Sequence, residues 1–225
     1  MTAPAGPVLA LETSASRCAV AVLRGGDALV RLDEPMARGQ AERLTPMIAE
    51  ALEAAGLRPA DLAAVAVCTG PGNFTGVRIG VAAARGLALA LSIPAVGVPR
   101  LDALAETAGG GPLVVAVGAP RGALYAQAFD AAGAPVSALE LGPPERLAAA
   151  LAGASSVVGP PGPAEALAAA LGARHEAAGD LADPIALARL AVRRLAAGPV
   201  PRPAPIYPRP PDAAPPSEPP PRLLA

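Results

Sequence analysis

A glycine-rich turn is the stretch of this sequence with the clearest capacity for chemistry. Residues 69–80 read TGPGNFTGVRIG, after a short apolar run and before a long apolar stretch. Backbone N–H groups in such a turn, at the start of a helix, can hold a phosphate group. The turn lacks the GxGxxG spacing of dinucleotide-binding proteins, and all 18 basic residues are arginine, which excludes a Walker A lysine. A tight strand-to-helix connection that needs glycine conformations explains the turn equally well.

Other candidate catalytic groups are sparse. Glu12 ends an apolar run beside Thr13 and Ser14, where it could position a hydrated Mg²⁺ ion or cap the neighbouring turn. His175 is the only histidine and the two cysteines are far apart, so neither a Ser-His-Asp triad nor a zinc site is expected. A carboxylate pair of Glu12 with Asp102 is conceivable, but no motif supports it. We therefore expect no catalytic residue, no metal site and no cofactor.

The stretch after the turn has small residues at every fourth position. Gly76, Gly80 and Ala84 would share one face of a helix, with Ala83 and Gly86 beside them. Small side chains let another helix approach closely, and glycine costs about 0.5–1 kcal/mol relative to alanine inside a helix. We therefore expect something to pack on this face, either the first helix of the same chain or a partner protein.

Composition limits the class of protein. The chain has 225 residues, a net charge of −1 and 2% aromatic residues, so it has little charge or stacking surface for binding nucleic acid by itself. No 18-residue run is free of charges and of proline or glycine breaks, which predicts no membrane span. The N-terminus lacks the basic segment of a signal peptide, and the two cysteines lie in apolar runs typical of buried free thiols. A cytoplasmic location is expected.

Apolar periodicity predicts three strands and a helix in the first half, followed by a strand–helix–strand unit. The predicted elements, in chain order, are strands at residues 8–12, 17–23 and 28–33, a helix at 40–55, a strand at 62–67, a helix at 77–91, a strand at 95–98 and a short helix from about 102. The order βββαβαβ is typical of one half of an actin-like ATPase, or ribonuclease H-like, α/β fold.

A glycine and proline break at 109–112 separates a second half of similar type. The elements predicted after the break are strands at residues 113–117, 123–129 and 135–141 and helices that begin near residues 145, 164 and 184. Prolines dominate the last segment, which favours an extended polyproline arm. We therefore predict one actin-like subdomain over 1–108, a second over 109–198 and a proline-rich arm over 199–225.

Five short blocks resemble the TsaB family, formerly called YeaZ. The sequence GPGNFTGVRIG at 70–80 closely resembles the family signature GPGSFTGxRIG. Four weaker matches lie before and after this block, in the same order as in the family. They are LETS at 11–14, ERLTPM at 42–47, RGALY at 121–125 and PIYPR at 205–209. The sequence departs from the family pattern at Glu12, Asn73 and Gln40, where members have Asp, Ser and often His, and Gly118 and Pro120 interrupt the family's Asp-Ala-Arg.

The resemblance implies a two-subdomain actin-like fold and a non-catalytic subunit. Members of the family pair with TsaD, which carries the metal and the chemistry that transfers threonylcarbamoyl to N6 of adenosine 37 in tRNAs reading ANN codons. The resemblance also implies that the ATPase TsaE joins the pair and that the chain contacts tRNA only through the complex. When isolated, the chain could form a homodimer.

The same resemblance assigns roles to individual residues. The implied partner surface lies on the two helices of the first half and comprises Arg43, Leu44, Met47, Phe74, Thr75, Gly76, Arg78, Ile79, Gly80, Ala83 and Ala84. The remnant of a nucleotide or phosphate loop would comprise Glu12, Thr13, Ser14, Gly70 and Gly72.

Two other classes of protein remain as alternatives, an actin-type nucleotide-binding kinase or ATPase and a glycoprotease-like hydrolase. A kinase of this fold needs a phosphate-binding loop in each half and a catalytic acid, but the second-half loop at 118–122 has no acid. A peptidase needs metal ligands, or a nucleophile with a base. The missing groups favour the subunit over both enzymes.

Overall fold

The computed structural model describes residues 6–109 and 112–208, and it contains ten strands and six helices. The strands are β1 (Val8–Glu12), β2 (Arg17–Arg24), β3 (Asp27–Pro35), β4 (Ala64–Cys68), β5 (Ala95–Val98), β6 (Leu113–Gly118), β7 (Leu124–Phe129), β8 (Glu140–Gly142), β9 (Ser156–Gly159) and β10 (Arg174–Ala177). The helices are α1 (Gln40–Ala54), α2 (Phe74–Leu91), α3 (Arg100–Thr107), α4 (Pro144–Ala150), α5 (Pro163–Leu171) and α6 (Pro184–Ala197).

Two apolar strands form the centre of the first sheet, whose strand order is β3-β2-β1-β4-β5. Every residue of β1 and β4 is buried, because helices cover both faces of the sheet. On one face, α1 and α2 bury Leu44, Met47 and Val77 against the strands. On the other face, α6 buries Leu187 and Ala191.

The second sheet repeats the topology of the first, in the order β10-β9-β6-β7-β8. Strand β6 is antiparallel to β7 and parallel to β9. In the same way, β1 is antiparallel to β2 and parallel to β4. Helices α4 and α5 pack on one face around Leu147 and Leu167, and α3 covers the other face with Leu101 and Leu104. The predicted two-part actin-like α/β class is confirmed.

The second half differs in detail from its prediction. Strands β9 and β10 were not predicted, since each has four residues and β10 is polar in sequence. The strand expected over 135–141 is reduced to β8, and Pro135 forms only an isolated bridge with Phe129. Helix α2 begins at Phe74, three residues earlier than expected, because Asn73 caps it.

Helix α6 lies in the predicted second subdomain, yet it packs on the first sheet. Its Leu187, Ala191 and Leu195 share one core cluster with Val8 and Ala66. The boundaries at 108 and 198 stay predictions, and Gly110, Gly111 and the arm beyond residue 208 lie outside the described residues.

Candidate functional site

The glycine-rich turn packs against the short connection between β1 and β2. The Asn73 amide N–H donates to the Ser14 carbonyl oxygen at 2.7 Å. A Cβ atom at Gly72 or Gly76 would collide with the carbonyl oxygen of Ser14 or Thr13, so only glycine permits this close approach. The glycines at 72 and 76 are therefore explained by the packing of this chain.

The N–H groups at the start of α2 already have an acceptor. The Asn73 side-chain oxygen accepts from the amides of Thr75 at 3.0 Å and Gly76 at 3.2 Å. These are the donors that a phosphate group would use. Asn73, which stands where the family has Ser, thus caps α2 at N–H groups that could otherwise hold a phosphate group.

Glu12 is fully buried at the end of β1, beside the same connection. One carboxylate oxygen accepts from the Ser14 amide at 2.5 Å, as expected of a turn cap. The other oxygen is buried and has no hydrogen-bond partner among the described residues. Thr13 donates its hydroxyl to the Gly76 carbonyl oxygen at 2.7 Å, so its polar group is also used inside the fold.

Two further polar side chains of the first half, Ser14 and Asp102, have partners within the protein. The Ser14 hydroxyl lies 3.3 Å from the Cys68 sulfur, and burial raises the pKa of the Cys68 thiol well above its usual value. Asp102 pairs with Arg194 at 2.5 Å, although burial still raises the pKa of its carboxyl group. Within residues 6–109 and 112–208, no group of three His, Cys, Asp or Glu side chains could hold a metal ion.

Two buried arginines of the first half donate hydrogen bonds to the segment before α6, residues 180–182. Arg100 donates from Nε to the Asp180 carbonyl oxygen at 2.7 Å. Arg17 pairs with Asp33 at 2.9 Å and also donates to the Ala182 carbonyl oxygen. These charged groups lie at the junction of the two halves, where they hold the fold together.

The structure corrects the predicted partner surface at five of its eleven residues. Leu44 and Met47 lie in the core between α1 and the first sheet, with at most 1% of either residue exposed. Gly76, Gly80 and Ala84 also face inward, and a Cβ atom at Gly80 would lie 2.6 Å from the Thr13 hydroxyl oxygen. The small-residue face thus packs inside this chain, on the β1–β2 connection and β4, and not on the first helix or on a partner as the two alternatives had it.

The other six predicted residues reach the surface. They are Arg43, Phe74, Thr75, Arg78, Ile79 and Ala83, with Arg43, Ile79 and Ala83 half-buried. Arg43 makes paired hydrogen bonds to Glu34 and Glu50 and thereby lowers the pKa of both carboxyl groups. Their role in binding a partner stays a prediction.

The outward face of α2 is an apolar surface that was not predicted as such, and Gly86, expected beside the small-residue face, lies on it. Ala82, Gly86, Leu89 and Ala90 are exposed, and 81% of Leu89 is accessible. A Cβ atom at Gly86 would have no neighbour within 4 Å among the described residues. A second series of small residues at every fourth position, 82, 86 and 90, was the signal in the sequence that could have indicated this face.

The duplicated sheet topology defines a two-subdomain protein of the actin-like class. At the level of the fold alone, component A of (R)-2-hydroxyglutaryl-CoA dehydratase from Acidaminococcus fermentans gives a TM-score of 0.52 at 11% identity, over 84% of this chain and 98% of that chain. A crystal structure described as an uncharacterized protein with similarity to peptidase YEAZ from Pseudomonas aeruginosa gives 0.77 at 30% identity, over 91% of this chain and 100% of that chain.

Sequence comparison identifies the family. The family model described as TsaD, tRNA N6-adenosine threonylcarbamoyltransferase, matches residues 34–148, slightly more than half of the chain. The tRNA threonylcarbamoyladenosine biosynthesis protein TsaB of Escherichia coli is 35% identical over 122 residues, which are 52% of this chain and 52% of that protein. The chain spans about half the length of the curated relatives it matches. It belongs to the TsaB (YeaZ) branch of this family.

Proposed function

We propose that this chain is an accessory subunit in the biosynthesis of N6-threonylcarbamoyladenosine in tRNA. It binds a TsaD-type transferase through the outward faces of α1 and α2 and does not catalyse the transfer itself. A TsaE-type ATPase joins the pair, and tRNA is contacted through the complex in the cytoplasm. The names of the TsaB relatives from Escherichia coli, Haemophilus influenzae and Bacillus subtilis support the pathway.

The observation that carries the proposal is the apolar outward face of α2. A surface helix is ordinarily polar on the side that faces water. By contrast, α2 has a mean hydropathy of 1.4 over 18 residues, and its outward side presents Ala82, Gly86, Leu89 and Ala90. By length and composition α2 could cross a membrane, but its inward side packs on the first sheet of the same chain.

Covering this face with a partner would be favourable. Removing a leucine side chain such as Leu89 from water contributes about 1.5–3 kcal/mol. The small residues at 82, 86 and 90 would let a partner helix approach closely. Exposed apolar patches of this kind mark protein interfaces in many proteins.

The two alternative functions have weaker support. The Asn73 side chain occupies N–H groups at the start of α2 that could otherwise hold a phosphate group, which disfavours a kinase. A hydrolase would need an activated nucleophile, but burial raises the pKa of Cys18 to about 11 and that of Cys68 well above its usual value, which disfavours the reactive thiolate.

Replacing one exposed leucine tests the proposal. We expect Leu89→Asp to weaken binding to the TsaD-type protein of the same organism by about 10-fold or more, because it places a charge in an apolar interface. Affinity is measured by isothermal titration calorimetry, and transfer by the threonylcarbamoyladenosine content of tRNA. The matched control is Val136→Asp, which changes another exposed aliphatic residue, with 64% accessibility, in the second half.

Three results would contradict the proposal. The first is that the unmodified chain and the TsaD-type protein do not associate at all. The second is that Leu89→Asp binds as tightly as Val136→Asp while both variants melt normally. The third is that the chain alone, without any TsaD-type protein, transfers threonylcarbamoyl to tRNA.

A further inference from the structure

The described part of the proline-rich arm, residues 199–208, runs back from α6 onto the first half. The Ile206 amide donates to the Thr69 carbonyl oxygen at 2.9 Å, directly before the glycine-rich turn. Pro203 is buried, and a Cβ atom at Gly97 of β5 would lie 3.1 Å from its Cβ. The arm therefore lies along the edge of the first sheet and ends beside the start of α2.

The arm brings Tyr207 to two exposed residues of α2. The Arg78 Nε atom donates to the Tyr207 hydroxyl at 2.7 Å. The Arg78 guanidinium carbon lies 3.7 Å from the Phe74 ring centroid and 5.5 Å from that of Tyr207, and the two rings are 5.4 Å apart. We call Phe74, Arg78 and Tyr207 the aromatic–arginine cluster.

The cluster concentrates residue types that dominate protein interfaces. The chain has four aromatic residues, two Phe and two Tyr, and two of the four lie in this cluster. About half of Phe74 (51%) and of Tyr207 (45%) is exposed. Tyr and Arg are among the residues whose truncation most weakens protein–protein complexes, and aromatic rings are enriched in interface cores.

Among the described residues, the charged side chains in and beside the cluster are arginines. No carboxylate lies within 4 Å of the Arg78 guanidinium in the described residues. Further along α2 and the arm, a shallow groove of about 580 Å³ is lined by Arg85 and Arg202, together with apolar residues such as Leu89 and Ile93. In the part of the chain that the structure describes, no acidic residue lines this groove. The Arg85 Nε atom is buried without a hydrogen-bond partner among the described residues.

We propose that the arm and α2 together form one docking surface for an acidic segment of the TsaD-type partner. Tyr207 is a positioning residue, which holds Arg78 so that the two terminal nitrogens of its guanidinium can pair with a partner carboxylate. The inference rests on the proposed function. A protein is favoured over RNA as the occupant, because apolar Leu89 and Ile93 line the groove between the arginines.

The test measures the affinity of the full chain for the TsaD-type protein of the same organism at two salt concentrations. We expect Arg78→Gln to weaken binding about 10-fold or more, and Tyr207→Phe, which removes only the hydroxyl, about threefold or more. The affinity of the unmodified chain should fall more steeply with salt than that of Arg78→Gln. The control Arg189→Gln removes an exposed arginine from α6, on the opposite face of the first sheet, and should bind like the unmodified chain.

A double-mutant cycle separates positioning from general stability. If Tyr207 acts through Arg78, Tyr207→Phe should have no further effect in the Arg78→Gln background. Thermal unfolding of each variant should match that of Arg189→Gln.

Each contrary outcome has a distinct meaning. If the unmodified chain binds but Arg78→Gln and Tyr207→Phe bind equally well, this inference is wrong and the proposed function stands. If the unmodified chain does not bind, the proposed function fails and the inference with it. If Arg78→Gln abolishes binding of tRNA to the isolated chain and leaves the protein affinity unchanged, the surface serves RNA and the inference is overturned.

Discussion

Two glycines of α2, one facing the core and one facing solvent, allow a matched comparison. A Cβ atom at Gly80 would press on the Thr13 hydroxyl oxygen and lie 3.3 Å from a Val67 methyl carbon, whereas one at Gly86 would have no described neighbour within 4 Å. We expect Gly80→Leu to cost about 1–3 kcal/mol and to lower the melting temperature by about 3–10 °C. Gly86→Leu should melt normally and weaken partner binding, since its side chain separates the helices.

Calorimetry on both variants, followed by partner titration, checks this pair. Equal melting temperatures for Gly80→Leu and Gly86→Leu would contradict the inward packing of Gly80. If Gly86→Leu folds normally and binds the partner with unchanged affinity, the prediction that a partner helix packs closely on the outward face is wrong.

The two cysteines provide a prediction about pH. Burial raises the pKa of Cys18 to about 11 and that of Cys68 well above its usual value, so both thiols stay protonated through neutral and mildly alkaline pH. Because the thiolate is the reactive form, a chromogenic thiol reagent at pH 8 should label the native protein very slowly. Two equivalents should react once the chain is unfolded in guanidinium. Rapid labelling of the native protein at pH 8 would show that the thiols are accessible.

At the scale of elements, the start of α2 depends on Asn73. Its side chain satisfies two amides at the first turn, and the amide of Asn73 bonds Ser14. Replacement by alanine should lower the free energy of unfolding by about 1 kcal/mol, and replacement by serine by much less, because serine is also a good helix cap. Urea unfolding of Asn73→Ala and Asn73→Ser measures both values. Equal losses for the two variants would contradict the capping role.

The elements also show what the sequence could and could not predict. Strands β1 and β4 were recognisable because burial on both faces leaves an unbroken apolar run, and α1 because Leu44, Met47 and Ile48 recur at helical spacing. Strand β10 was not recognisable, since its residues Arg174–Ala177 are polar and its place is set by pairing with β9.

The same limit applies to the candidate site. The signature at 70–80 indicated that α2 is important, but the periodicity of a helix does not say which apolar face is inward. Glycine is equally compatible with a partner helix and with the β1–β2 connection, which the chain brings close only when folded. Tyr207 could not be linked to Arg78, because 129 positions separate them.

At the scale of the molecule, α6 completes the first half. Its Leu187, Ala191 and Leu195 cover the face of the first sheet opposite α1 and α2. We expect a fragment of residues 6–109 to show no cooperative thermal unfolding, because that face would be bare. A second fragment with residues 182–198 joined by a flexible linker should regain a cooperative transition. Cooperative unfolding of the shorter fragment would show that the first half is stable without α6.

This arrangement also affects the order of events during synthesis. A ribosome adds about 5–20 residues per second, so about 5–20 s pass between the making of β5 and the making of α6. During that interval one apolar face of the first sheet has no cover, and we expect the nascent chain to bind chaperones that recognise exposed apolar segments. Tyr207 is synthesised after α6. A partner that binds the aromatic–arginine cluster would therefore bind only chains in which α6 is already available to cover the first sheet.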